Sequence, residues 1–216
     1  MTKKLLPGLY LLLLAVIFSS CSGKVKDYDG NRYSKLRTGN QVWLAENLTV
    51  ATFRNGERIP EAKSAEEWIR FGREGIPAWC APGNDSANII KYGRLYNWYA
   101  VNDPRGLAPK GWHIASDEDW TNLINYLGGG VIAAFRMRVT GMEPSGGEGF
   151  GFGGLPAGAR SADGSFYGIA SNGFWWTSTE ISENSAYIRM LSYEYCDIRY
   201  LNYNKGTGLS VRCVKD

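Results

Sequence analysis

The stretch GWHIASDEDWTNLINYL, residues 111–127, holds the single histidine of the 216-residue chain. His113, Ser116 and the carboxylates Asp117, Glu118 and Asp119 stand close enough together to suggest an active site. Their spacing has a simpler cause. Trp120, Leu123, Ile124 and Leu127 recur at i, i+3, i+4 and i+7, which is one face of a helix. Ser116 precedes that face, and Asp119 follows it by three, the pattern of a capping box. The three carboxylates then fall in the first helical turn, where the helix dipole favours negative charge. Gly128, Gly129 and Gly130 end the helix. His113 remains, beside Trp112 and Ile114. A triad needs an acid-oriented histidine touching an activated nucleophile, and a zinc site needs further histidine or cysteine ligands at short spacing. The chain supplies neither pattern, so His113 reads as a packed side chain and no metal or cofactor is expected.

Working outward, SAEEWIRF at residues 64–71 repeats the same design, with Ser64 as cap, Glu67 completing the box, and Trp68 and Phe71 facing the core. Residues 28–48 read as two short strands, with turns at Asp29-Gly30-Asn31 and Thr38-Gly39-Asn40, and Asn55-Gly56 marks another turn. Residues 79–93 read as loop. The glycine-rich stretch 142–152 lacks the bracketing strand and helix of a phosphate cradle and reads as a long surface loop. Ala162-Asp163-Gly164 forms a turn between short strands. GFWWTSTE at 173–180 is a strand whose adjacent tryptophans face opposite sides. Residues 186–216 read as three antiparallel strands, with a hairpin turn at Asn204-Lys205-Gly206-Thr207. The expected class is α+β: two helices, long irregular loops and a terminal antiparallel sheet.

The N-terminus reads differently. Lys3 and Lys4 precede an apolar run at 9–18, too short to span a bilayer comfortably, and then comes FSSC. That ending is similar to a bacterial lipobox. The expected division is a signal peptide over 1–20, a tether over 21–26 lipidated at Cys21, and one domain over 27–216. The net charge of +3 shrinks once Lys3 and Lys4 leave with the leader, which gives no electrostatic footprint for nucleic acid. Cys80, Cys196 and Cys213 remain. In an oxidising compartment they permit one bridge and one leftover thiol.

YGRLYNWYAVNDPRGLAPKGWHIASDEDW (92–120), together with GNQVWLAENL, GGLPAGAR, GFWWTSTE and GLSVRCVKD, resembles the Fibrobacter succinogenes major paralogous domain family over nearly all of the mature chain. The resemblance implies a C-type-lectin-like domain, in which two helices flank a twisted antiparallel sheet. It agrees with a lipoprotein of the cell envelope, anchored through lipid at the outer membrane. Sugar-binding lectins of that fold hold calcium with two triplets; this chain offers only Glu-Pro-Ser at 143–145. The resemblance also implies a bridge between Cys80 and Cys213, with Cys196 free. Cys196 with Cys213 is the competing pair, but a hairpin at 204–207 would set Cys213 opposite Ile198 and leave Cys196 one diagonal step away, about 7–8 Å at the backbone and beyond the usual separation of a disulfide.

The expected ligand surface lies on the terminal sheet, in Tyr193, Tyr195, Arg199, Tyr200, Asn202, Tyr203 and Asn204. Tyrosine gives rigid contact area, and asparagine adapts its hydrogen bonds. The expected function is a lipid-anchored binding module for an extracellular protein or glycan, without catalysis. A structural envelope component, or an enzyme distantly related to formylglycine-generating oxidases, are the alternatives.

Overall fold

The computed structural model describes residues 23–138 and 151–216. The leader, Cys21 and the triplet at 143–145 lie outside the described residues. The first half runs β1 (Val25–Lys26), β2 (Arg32–Tyr33), β3 (Lys35–Thr38), β4 (Gln41–Leu44), α1 (Ala65–Glu74), β5 (Trp79–Cys80), α2 (Ala87–Tyr92), β6 (Leu95–Tyr96) and α3 (Trp98–Val101). The second runs β7 (Trp112–Ile114), α4 (Asp117–Tyr126), α5 (Gly130–Met137), β8 (Ala157–Arg160), β9 (Phe166–Ile169), β10 (Asn172–Ser182), β11 (Ser185–Ser192), β12 (Asp197–Asn204) and β13 (Cys213–Lys215).

Both capping boxes form. Ser64 Oγ accepts from the Glu67 amide at 3.2 Å, and the Glu67 carboxylate accepts from the Ser64 amide at 3.2 Å. At α4 the Asp119 amide donates to Ser116 Oγ at 3.1 Å, and the Ser116 amide donates to Asp119 Oδ2 at 2.9 Å. α1 buries Trp68 and Phe71; α4 buries Trp120 and Leu123, with Leu127 buried just beyond it. The β3–β4 hairpin closes at Thr38 and Gln41 around Gly39, whose φ of 57° lies in the left-handed region.

Two sheets organise the domain. One has the order β12-β11-β10-β8-β9, and the other β3-β4-β13-β7. Within the first, β10 runs parallel to β8; the other pairs of both sheets are antiparallel. The tandem tryptophans face opposite ways, as alternation requires, yet both are fully buried because β10 is covered on both sides. Trp176 enters the cluster with Tyr96, Ile188 and Leu209. Trp175 enters the one with Trp43, Trp120 and Phe152, whose rings meet edge to face: Trp43 and Trp120 at 5.1 Å, Trp120 and Phe152 at 5.6 Å.

Buried polar side chains join these layers. Arg212 is fully buried and donates to Leu44 O at 2.9 Å, Gly153 O at 2.7 Å and Asn47 Oδ1 at 2.7 Å, while its guanidinium lies 4.3 Å from the Phe152 ring centre. Asn47 Oδ1 also accepts from Trp175 Nε1 at 2.8 Å. Arg160 donates to Ala62 O and Ser64 O, both at 2.9 Å, and so ties β8 to the start of α1.

Three expectations change. The Asn204–Thr207 hairpin does not form. β12 is the outer strand of its sheet, and the chain then crosses to the other sheet, where β13 lies between β4 and β7. Distant backbone captures the segment on the way: Trp98 N donates to Lys205 O at 2.8 Å, Tyr96 N to Leu209 O at 2.8 Å and Trp176 N to Ser210 O at 3.1 Å. The three-stranded ending is therefore a two-stranded hairpin, β11–β12, turning at 193–196. Three helices join the two expected: α2, α3 and α5. Gly129 closes the α4 region and is at once the N-cap of α5, and Asn97 caps α3 by accepting from the Ala100 amide at 3.1 Å. Val25 and Lys26, which fall within the stretch 21–26, pair with Tyr33 and Arg32.

Candidate functional site

The hairpin β11–β12 and α4 border a groove of about 250 Å³, lined by Thr121, Ile124, Asn125, Arg189, Arg199 and Tyr200. Register explains its centre. Arg189 on β11 stands opposite Tyr200 on β12, and Tyr187 opposite Asn202, so these four side chains share one face. The Arg189 side chain is buried and held from α4: Nη1 meets Asp117 Oδ1 at 2.6 Å, and Nη2 donates to Thr121 Oγ1 at 3.1 Å. Its guanidinium lies 4.4 Å from the Tyr200 ring centre. The Tyr187 ring also packs against Tyr200, with centres 4.6 Å apart and planes tilted by 32°. Tyr200 is thus fixed by neighbours and still 50% exposed.

The expected ligand residues separate into two groups. Tyr195, 67% exposed at the hairpin turn, and Asn202 join Tyr200 at the surface. Arg199 borders the groove and pairs with Asp197 at 2.7 Å. Tyr193 and Tyr203 are half-buried and Asn204 is exposed, and each also makes contacts within the domain. Tyr193 donates its hydroxyl to Gly154 O at 2.5 Å beneath Arg138. Tyr203 packs on the core side of the sheet, 6.1 Å from Phe174. Asn204 Oδ1 accepts from the Gly206 amide at 2.8 Å and closes the end of β12. Tyr187 and Arg189 were absent from the expected set. Their alternation with buried Ile188 was readable; their pairing with Tyr200 depended on a register that sequence did not supply.

His113 lies between two carboxylates. Nδ1 is 2.8 Å from Asp216 Oδ1, and Nε2 is 3.1 Å from Asp119 Oδ2. Both ring nitrogens are donors only in the imidazolium, so this clamp suits the charged form. Burial lowers the His113 pKa, but the hydrogen bonds with Asp216 and Asp119 outweigh it, and the net direction is upward. Ser116 Oγ donates to Asp119 Oδ2 at 2.7 Å. The carboxylate therefore stands between hydroxyl and imidazole, whereas nucleophile activation requires the imidazole to stand between the other two. The described geometry is that of a capping box extended to the last strand.

The expected bridge between Cys80 and Cys213 is not formed; Cys80, Cys196 and Cys213 are all free thiols. Cys80 is buried under α1 with Trp68 and Ala157, while Cys213 is buried opposite Ile114 in another cluster. The competing partner, Cys196, sits in the β11–β12 turn at φ 48°, and β12 does not adjoin β13. Burial pushes the Cys80 thiol up to about 12 and raises that of Cys213 as well, so both stay protonated and unreactive.

Among the described residues no helix is long and apolar enough to cross a membrane. No curated protein and no solved structure matches the chain. The family model for the Fibrobacter succinogenes major domain matches residues 36–215, which takes in nearly all of both sheets, the groove, and His113 with Asp119. The chain belongs to the Fibrobacter succinogenes major domain family.

Proposed function

We propose that this chain is a non-catalytic recognition domain of C-type-lectin-like type, lipid-anchored at Cys21 in the cell envelope, at the outer membrane. It takes an extracellular protein or glycan against the groove between α4 and the β11–β12 hairpin. The observation that carries this reading is Tyr200: a half-exposed ring held over a buried guanidinium at the lip of a groove. Binding sites gain when contact area is ordered before the ligand arrives, because less side-chain entropy is lost. Tyr195 and Asn202 extend the surface with one rigid and one adaptable polar contact.

The test is a glycan array and an envelope-protein pull-down with the full chain, wild type and Tyr200→Ala. A ligand that binds wild type should bind the variant at least about tenfold more weakly, as for a central anchoring residue. Its stability should change by less than about 0.5 kcal/mol, as for a surface position. Equal binding by the two proteins would place the ligand elsewhere. Labelling cells with a lipid analogue tests the anchor: wild type should label and Cys21→Ala should not.

A further inference from the structure

A second concavity, of about 260 Å³, opens beside β1. Leu107 and Pro109 give it an apolar floor, and Lys26, Arg54 and Lys110 give it a cationic rim. Among the described residues none of these three cations forms an ion pair. The one carboxylate that lines the pocket, Asp27, is already occupied. It accepts from the Tyr33 hydroxyl at 2.6 Å, from Asn31 Nδ2 at 2.8 Å and from the Asn31 amide at 2.9 Å. Asp29 is likewise engaged, by the Ala51 amide at 2.6 Å. Arg105, nearby in sequence, shows the usual alternative: it is paired with both Asp103 and Glu57.

Arg54 is positioned in advance. Its amide donates to Gly106 O at 2.8 Å, and its Nε donates to Ala108 O at 3.1 Å. A Cβ at Gly106 would stand 3.0 Å from Nε and Nη2, so glycine there lets the guanidinium lie flat on the 106–108 backbone. The Nη donors are left to a ligand, and an oxyanion is the group a guanidinium fork fits best.

The position of β1 says which oxyanion. Val25 packs against the core and pairs with Tyr33, so the chain is fixed to the domain just after the tether. Four extended residues from Cys21 to Val25 span at most about 14 Å. A domain lipidated at Cys21, the anchor proposed above and on which this inference rests, therefore holds Lys26 at headgroup depth. We propose that the pocket rimmed by Lys26, Arg54 and Lys110 binds the phosphate of an anionic membrane lipid and so orients the domain on the bilayer.

Flotation of the full chain with phosphatidylcholine vesicles, and with the same vesicles containing phosphatidylglycerol, tests this. Wild type should prefer the anionic vesicles. Lys26→Ala, Arg54→Ala and Lys110→Ala should each reduce that preference about fivefold, whereas Arg73→Ala, on α1, should leave it unchanged. No preference in wild type, or equal losses for Arg73→Ala and the pocket variants, would overturn the proposal. So would binding of inorganic phosphate at the pocket by a chain that shows no vesicle preference. Cys21→Ala separates the two readings. The anchor fails if this variant and wild type bind neutral vesicles alike, while the anionic-to-neutral ratio still reports on the pocket.

Discussion

Arg212 and Arg199 are close in sequence and opposite in setting. Arg212, just before β13, is fully buried and gives its donors to two backbone carbonyls and Asn47. Arg199, on the outer strand β12, is exposed and holds only Asp197. The same contrast separates the regions around them. The stretches that make the sequence recognisable place Asn47, Asn97, Arg160, Trp175, Trp176 and Arg212 in the interior. There they satisfy carbonyls and indoles that would otherwise be stranded. The hairpin β11–β12 offers Tyr195, Tyr200 and Asn202 to solvent. The recognisable residues describe how the domain is built, and the surface proposed to meet other molecules lies apart from most of them.

Substitution of the two arginines by methionine gives the largest effect. Arg212→Met removes the guanidinium donors from Leu44 O and Gly153 O and one of the two donors from Asn47 Oδ1, and should cost about 3 kcal/mol or more, read by urea unfolding. Arg199→Met should cost less than about 0.5 kcal/mol, since an exposed pair contributes little. Similar losses for the two would erase the distinction. Ser116→Ala should cost about 1 kcal/mol through the lost cap of α4, measured in the same way. Ser116 belongs to the boundary between the regions, because α4 both covers the core and walls the groove.

The smallest effect is a pH dependence. The folded His113 pKa is raised, so its contribution is complete below the unfolded value, about 6.5, and is lost as pH rises through the folded value. Asp119 has the opposite sign. Burial pushes its pKa up, the hydrogen bonds from Ser116 more than reverse this, and the lowered net value makes its contribution disappear on acidification. Wild type should thus lose stability as pH rises above about 6.5, and His113→Gln should flatten that slope in thermal melts. An unchanged slope would show that the clamp is not what titrates.

The parts of this architecture legible in the sequence are those decided within a few residues. Both capping boxes and the β3–β4 turn depend on contacts at i+3, and they stand where the spacing put them. Gly128 to Gly130 were legible as a stop, yet the restart at Gly129 was not, because α5 gains its place by burying Ala133, Ala134 and Met137 against distant partners. The turn at 204–207 forms, with the Thr207 amide on Asn204 O at 2.9 Å, but the strand beyond it pairs with β4 and β7 instead of folding back on β12, because the backbone of Tyr96, Trp98 and Trp176 captures the segment between. The site divides in the same way. Alternation identified exposed tyrosines, but only the register brings Arg189 under Tyr200 and turns Tyr203 toward the core side of the sheet.

The place of β13 has a consequence for the order of events during folding. The last strand fills the middle of its sheet, between β4 and β7. Until Cys213–Lys215 arrive, β3–β4 and β7 face each other across a gap, and Arg212 cannot reach Leu44 O or Gly153 O. Closing that gap joins residues far apart along the chain, a slow kind of contact. The β3-β4-β13-β7 sheet therefore cannot close before residues 213–215 are in place, whereas the β12-β11-β10-β8-β9 sheet does not include them.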